Sequence, residues 1–291
     1  MLTMKKITVK IYGGLGNQMF QYAAGRALSL RYQVPLCLDL SWFSQKHDAN
    51  TTVRTYQLGI FKNITATIQN RGSFPCQRLI TRIRKYLPFS RVICEPHFAY
   101  WPGFAEITPP ARLNGYWQCE KYFIEFQKEI RHDFTFPALP EKAEQLSRQI
   151  AETPESVSVH IRRGDYVNNP QTQTFHGNLQ QDYYGKALQT IKNFYGKTRL
   201  FMFSDDPQWV RKNFDCCGHD AVIVDLAFPD APHHDMHLMS QCKHHIIANS
   251  SFSWWGAWLG TPQGMTFAPK RWFNAPEIDT STICPASWTC I

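Results

Sequence analysis

The chain has 291 residues, 43% of them hydrophobic and 14% aromatic, with a formal charge of +8. That is enough apolar material for one large core or two modest ones, and the length favours two domains. No apolar run approaches the ~18 residues of a membrane-spanning helix, and nine cysteines without a CxxC pair argue for free buried thiols rather than a disulfide framework.

Met1 to Lys6 lead straight into a strand-like stretch, with no apolar leader or cleavage site, so the sequence reads as soluble and cytosolic. The positive charge suits nucleic acid, an anionic membrane face or a phosphorylated substrate. No RNP- or KH-type motif supports nucleic acid. Basic residues are dispersed except for Arg78, Arg82, Arg84 and Lys85, which either contact acidic lipid headgroups, giving peripheral membrane contact, or lie on a solvated face.

In chain order, Ile7–Tyr12 is β-prone, Gly13–Asn17 is a glycine-rich turn, Gln18–Arg31 carries helix formers, and Val34–Leu40 is a second strand. From Ser41 to Pro140 the pattern is irregular, aromatic and rich in Pro and Asn, and short helices and loops are expected. Glu141–Thr153 is a polar amphipathic helix. A second alternating series follows: strands at Ser156–Ile161, Arg199–Phe203, Ala221–Val224, His244–Ala248 and Met265–Ala268, and helices at Gln181–Phe194, Pro207–Asn213, Asp235–Cys242 and Ser253–Leu259. This alternation predicts parallel sheets with helices on both faces. The expected fold class is α/β with two Rossmann-type domains, 1–150 and 151–291, facing a cleft.

The chemistry gathers at predicted strand ends, where open α/β sheets bind ligands. His160-Ile-Arg162-Arg163-Gly164-Asp165-Tyr166 closes the Ser156–Ile161 strand; period-two alternation puts His160 and Arg162 on one face. Two adjacent guanidiniums there form either an anion clamp or a structural Arg–Asp pair tying down the turn. Ser204, Asp205 and Asp206 end the next strand. The two aspartates either hold a divalent metal or, the simpler reading, cap the helix opening at Pro207; one of them also suits orienting the arginines.

Asn249, Ser250, Ser251 and Ser253 join a strand to a helix N-terminus, a phosphate seat of free N–H groups and hydroxyls, or an ordinary cap formed by Ser251 or Ser253. Trp254, Trp255 and Trp258 read as core. Asp235 is either an N-cap or a carboxylate able to accept the N1 and N2 hydrogens of guanine. His233, His234, His237, His244 and His245 lack the spacing of a zinc site.

These residues, in this order, resemble the galactoside α-1,2-fucosyltransferases of bacteria and animals. The carrying segments are Gly14-Leu-Gly16-Asn17-Gln18-Met-Phe-Gln-Tyr-Ala, His160 to Tyr166, Phe203 to Asp206, and Asp235 through Ser253-Trp-Trp-Gly-Ala-Trp-Leu. The resemblance implies a GT-B fold, with an N-terminal acceptor domain and a C-terminal donor domain. It implies GDP-β-L-fucose as donor, a galactoside-terminated oligosaccharide or lipid-linked glycan as acceptor, inversion to an α-1,2 linkage, and no metal or other cofactor. It further implies that Arg162 holds the β-phosphate, that Asp235 reads guanine, and that Ser250, Ser251 and Ser253 line the diphosphate. His160, Arg163, Ser204, Asp205, Asp206, Asn249, Gly14, Gly16, Asn17 and Gln18 complete the expected donor site. For a general base Asp165 is the first candidate and Asp39 the second.

The enzymatic rival is a dinucleotide oxidoreductase, since Gly14-Leu-Gly16 follows a strand and Asp39 ends the next. Met19 stands where the third glycine of that fingerprint is needed, and the paired arginines have no place in it.

Overall fold

The computed structural model describes residues 5–46, 54–69, 91–163, 179–226 and 231–291. Gly164, Asp165, Tyr166 and the basic cluster Arg78 to Lys85 lie outside the described residues. Two compact units divide the chain, Met1–Pro137 and Ala138–Ile291.

The first unit carries β1 (Ile7–Lys10), α1 (Leu15–Tyr32), β2 (Leu36–Asp39), β3 (Thr67–Gln69), β4 (Arg91–Cys94), β5 (Ala111–Asn114) and α2 (Gln127–Asp133). The sheet order is β3-β2-β1-β5-β4, every neighbouring pair parallel. β1 is central, and its Ile7 and Val9 are fully buried, as a strand covered on both faces requires. α1 is also buried on most sides, and ends in a Schellman-type cap: Gln33 is left-handed (φ 51°), and Val34 N–H donates to the Ser29 carbonyl at 3.0 Å. Three strands, β3 to β5, fall where loops were expected. They are three or four residues long, and β3 and β4 are exposed edge strands that leave little apolar pattern to read.

Helix and sheet meet closely at Gly25, where an added Cβ would lie 2.1 Å from Val9 Cγ2. The glycine that close packing needs is therefore about 1.7 helical turns past Met19, which is itself buried core. Gly25→Val should overpack this contact and destabilise the unit by about 1–3 kcal/mol or more. Val9→Ala in the same chain should recover part of that loss in a thermal melt.

The second unit carries α3 (Glu141–Ala151), β6 (Ser156–Ile161), α4 (Gln181–Tyr195), β7 (Arg199–Ser204), α5 (Pro207–Asn213), β8 (Asp220–Val224), α6 (His233–Gln241), β9 (His244–Ile246), α7 (Ser251–Trp258), β10 (Thr266–Ala268) and β11 (Thr289–Cys290). α3, read from the sequence as the end of the first domain, belongs here. Its Ala143, Leu146 and Ile150 share a core with Phe201, Phe203, Leu238 and Met239. On the sheet's other face Val157, Val159 and Ile161 pack with Tyr184, Leu188 and Ile191. The parallel order is β11-β10-β9-β6-β7-β8, with β6 buried along its whole length.

The fold class is thus α/β and GT-B-like, in the sense of two successive Rossmann-type units, each with a parallel sheet. Strand order reverses between β1 and β5 in the first unit, and between β6 and β9 in the second. Crevices outside the carboxyl ends at such reversals are where ligands bind. No helix among the described residues is long and apolar enough to cross a membrane.

Candidate active site

The register of β6 on β7 builds the centre of the second unit's site. His160 is level with Phe203 and Ile161 with Ser204, so one residue further on Arg162 faces Asp205, and Arg163 faces Asp206. The ion pairs follow from that alignment: Arg162 Nη1 lies 3.0 Å from Asp205 Oδ2, and Arg163 Nε 3.5 Å from Asp206 Oδ2. Asp205 Oδ1 also accepts the Arg163 backbone N–H at 2.8 Å. Asp206 caps α5, accepting Trp209 N–H at 3.0 Å, and takes its own N–H bond to Ser204 Oγ at 3.0 Å. The sequence alternatives for these aspartates resolve into two local tasks. Asp206 is the helix cap, and Asp205 orients the arginines.

The Arg163 guanidinium lies over the Trp209 ring, 3.7 Å from its centroid, which fixes the plane of its fork. Arg162 keeps 25% of its side chain exposed, as does Asp205. The pair therefore holds Arg162 in place without sealing it from solvent, so the ion-pair alternative is the one observed, and it leaves the guanidinium accessible. Beside it a cavity of about 330 Å³ is lined by Ile161, Arg162, Arg163, Tyr184, Trp209 and Phe214, among others.

His160 is buried beneath Arg162, and its Nδ1 has no hydrogen-bond partner among the described residues. Burial, reinforced by the Arg162 charge, pushes its pKa well down and keeps the imidazole neutral. Its ring lies 5.8 Å from that of Phe252, in the first turn of α7. Tyr184 Oη donates to the His160 carbonyl at 3.0 Å, fixing the strand end from the other face.

Across the strand reversal, β9 runs into Asn249 and α7. The cap is Ser250, whose Oγ accepts Phe252 N–H at 3.3 Å, correcting the sequence expectation of Ser251 or Ser253. Ser253 is buried, and its hydroxyl is turned to the carbonyls of Ala248 and Ser250. Asn249 is buried and donates to the Trp272 carbonyl at 3.2 Å. Ser250 and Ser251 remain partly exposed at the helix N-terminus, while Asn249 and Ser253 hold the turn from inside. Trp254, Trp255 and Trp258 are core, as read.

α6 begins at His233 with Pro232 as its cap, so Asp235 sits inside the first turn and is not the N-cap expected as one alternative. No hydrogen bond or ion pair to its carboxylate is found among the described residues. Burial, with a smaller contribution from Asp225, raises its pKa to about 6. Asp235 is half-buried, and a partly desolvated carboxylate at a strand-end crevice is a candidate for a donor supplied by a ligand. α6 is held against α7 through Gly256, where a Cβ would come within 3.0 Å of Met239. His244 and His245 are structural: His244 Nε2 lies 2.7 Å from Glu155, and His245 Nδ1 lies 2.8 Å from Ser158 Oγ. No metal-holding cluster occurs among the described residues.

In the first unit, Gly14 caps α1, Gly13 supplies the left-handed turn before it (φ 77°), and Gly16 is buried. Gln18 is fully buried and spent on backbone groups: Nε2 donates to Gly13 and Thr55 carbonyls, and Oε1 accepts Gln57 N–H, each at 2.8 Å. Its role is to tie the 54–58 segment to the turn. Asn17 Oδ1 accepts Gln118 Nε2 at 2.7 Å. Asp39 is buried against Arg112 and accepts Ser41 N–H at 3.0 Å, which leaves it poorly placed as either a base or a ribose reader. Sequence reasoning passed over Glu95, at the end of the unrecognised β4.

The arginine-lined cavity at the end of β6 and the helix N-terminus after β9 flank the strand reversal of one parallel sheet, and both have the chemistry of anion sites. The chain matches the model of Glycosyl transferase family 11 over residues 109–291. It is 35% identical to an alpha-1,2-colitosyltransferase of Escherichia coli, over 99% of each chain. It is 32% identical to the O-antigen biosynthesis glycosyltransferase WbnK of Escherichia coli, over 90% of this chain and 93% of that one. To a galactoside 2-alpha-L-fucosyltransferase, SEC1 of Bos taurus, it is 26% identical, over 87% of this chain and 64% of that one. The chain belongs to glycosyl transferase family 11.

Proposed function

We propose that this family 11 enzyme moves L-fucose from GDP-β-L-fucose to the 2-hydroxyl of a terminal galactoside, inverting the donor's configuration and using no metal. The observation that carries the reading is the arginine pair at the β6 end, held in register by Asp205 and Asp206. Transfer leaves negative charge on the β-phosphate of departing GDP. Arg162, partly exposed and pre-oriented, takes up that charge, which is the work a metal would otherwise do. Ser250, Ser251 and the positive N-terminal end of α7 seat the diphosphate. Asp235, short of a donor, accepts the guanine N1 and N2 hydrogens.

A second donor has specific support. The 35% identical relative is a colitosyltransferase, and colitose is fucose without its 3-hydroxyl. The O-antigen relative favours a bacterial surface oligosaccharide or its lipid-linked precursor as acceptor, which would bring the enzyme to a membrane face.

The deciding experiment measures GDP release from GDP-fucose and GDP-colitose, each with a panel of β-galactosides, with and without EDTA. GDP-fucose is expected to be used in preference, at a rate EDTA leaves unchanged. A preference for GDP-colitose of about tenfold or more would transfer the assignment to the second donor. Loss of activity in EDTA, restored by Mg²⁺ or Mn²⁺, would refute the metal-free mechanism.

A further inference from the structure

The first unit has a strand reversal of its own, between β1 and β5, and the residues around it form a second constellation. Glu95 follows β4. It extends that strand's pairing with β5, its N–H donating to the Asn114 carbonyl at 3.0 Å. Opposite it stands Gly115, where an added Cβ would lie 2.4 Å from Glu95 Cβ, so only glycine admits the acid there. The chain then turns so that two successive N–H groups converge on the carboxylate: Tyr116 donates to Oε2 at 2.7 Å and Trp117 to Oε1 at 2.9 Å. That turn puts Trp117, a bulky residue, in the left-handed region at φ 58°, a strained conformation that persists only where the surroundings impose it.

Around the acid stand aromatic rings. Tyr12 follows β1, and its ring lies 5.0 Å from that of Tyr116 and 6.4 Å from that of Trp42. Tyr116 is 40% exposed, high for so large a ring. Partly exposed aromatic faces beside one fixed carboxylate make a site for a sugar, whose C–H face lies on the rings while its hydroxyls reach the acid.

We propose that this edge of the first sheet is the acceptor subsite, and that Glu95 takes the proton from the acceptor hydroxyl. The inference rests on the glycosyltransferase reading above. As the acceptor oxygen bonds to the sugar C1, the C1–O bond to phosphate breaks and its electron pair leaves with GDP. The hydroxyl proton passes to a Glu95 oxygen and from there to water.

The carboxylate is suited to that exchange. Burial raises its pKa to about 7, outweighing the two N–H bonds that lower it. The titratable groups facing it are the phenols of Tyr12, Tyr116 and Tyr122 and the thiol of Cys94. The phenols are all pushed upward by burial and stay neutral at pH 7. The lysines nearby, Lys10 and Lys121, lie over the rings of Tyr12 and Tyr100 rather than at the acid.

The test is kcat against pH at saturating donor and acceptor, for the wild type, Glu95→Gln, Glu95→Asp and Asp165→Asn. Wild-type kcat should fall on an acid limb near or above neutrality. Glu95→Gln should lose about a hundredfold or more in kcat and lose the limb, with the affinity for GDP unchanged; Glu95→Asp should keep the limb at a reduced rate. Tyr116→Ala should raise the acceptor KM and leave the donor KM alone. Should Glu95→Gln fail to fold, Glu95→Asp and the wild-type profile decide: a flat profile for both overturns the proposal. So does a Glu95→Gln enzyme within tenfold of wild type, or a limb that disappears in Asp165→Asn instead. If the wild type releases no GDP from any GDP-sugar, it is the glycosyltransferase reading that fails; active wild type with an indifferent Glu95 sinks only this inference.

Discussion

Arg162→Ala should lower the rate of GDP release with acceptor present by about 10²–10³-fold, the usual consequence of removing one aimed donor from developing charge. The fold should survive. Arg162 is partly exposed, and its ion pair with Asp205 is of the kind worth about 0–1 kcal/mol. Asp205 is not left stranded, since the Arg163 backbone N–H still donates to it at 2.8 Å. The melting temperature should therefore stay within a few degrees of wild type. Arg162→Lys should recover only part of the rate, because an ammonium restores charge without the two-pronged grip. Turnover within tenfold of wild type in Arg162→Ala would refute the role, and a large fall in melting temperature would reassign Arg162 to structure. Asp205→Asn separates the two tasks further: it keeps a side-chain acceptor for the Arg163 N–H but releases Arg162, so kcat should fall more than GDP affinity does.

What the sequence made legible follows from how local each signal is. The second unit was readable almost strand by strand. Its strands β6, β7, β9 and β10 are largely buried, and most candidate site residues follow β6, β7 and β9 closely, so finding those strands finds the site; the exposed two-residue β11 left no such signal. The pairing of Arg162 with Asp205 needed the register, because the strand read as Arg199–Phe203 runs on to Ser204, level with Ile161. Helix starts were less legible. Ser250, Ser251 and Ser253 are chemically equivalent candidates for a cap, and only the backbone, extended at Ser250 (φ −140°), selects one. Asp235 lies in the third position of its helix because the preceding Pro232 takes the cap, a choice that side-chain identity alone does not make.

Glu95 was missed for a different reason. Its strand, Arg91–Cys94, has one buried residue, Ile93, and the segment before it carries no periodic signal. The turn that collects its two N–H bonds depends on a tryptophan adopting a left-handed backbone, which runs against that residue's own preference. Gly115 directly before Tyr116 and Trp117 is the one local hint, and it gains meaning only when β4 is placed beside β5. The glycine-rich turn misleads in the same way. Gly13 and Gly14 do shape the turn, but the close approach of helix to sheet is met at Gly25, and Gln18, which reads as a ligand-facing amide, is consumed by backbone groups of the 54–58 segment.

Asp235→Asn should move stability and affinity in opposite directions. In the empty protein the folded-state pKa of Asp235 is raised from 3.8 to about 6, chiefly by burial. Between those values the folded state binds the proton more tightly than the unfolded one, so stability falls as pH rises through that window, and the whole cost is present above about pH 6. At one pKa unit per 1.36 kcal/mol, removing the charge should stabilise the ligand-free protein at pH 7 by up to roughly 3 kcal/mol, and by almost nothing at pH 4. Binding runs the other way. Guanine offers two N–H donors, and an asparagine oxygen accepts them without charge while its amide hydrogens oppose them. GDP should bind the variant about 10–100-fold more weakly, the scale of a lost hydrogen bond to a charged group. The pH dependence separates this from a general loosening of the site. Wild-type affinity for GDP should hold level above pH 6 and fall toward tenfold per unit below it, as Asp235 must give up its proton to receive guanine. The variant's affinity should lack that step. Calorimetric titration with GDP from pH 5 to 7.5, alongside thermal melts of the free protein, reads both effects, and a variant that melts no higher and binds GDP as the wild type does would take Asp235 out of the site. Under the proposed function, the cost of this half-buried carboxylate would be relieved by the guanine N–H pair, and both outcomes together would mark Asp235 as a residue kept for binding rather than for folding.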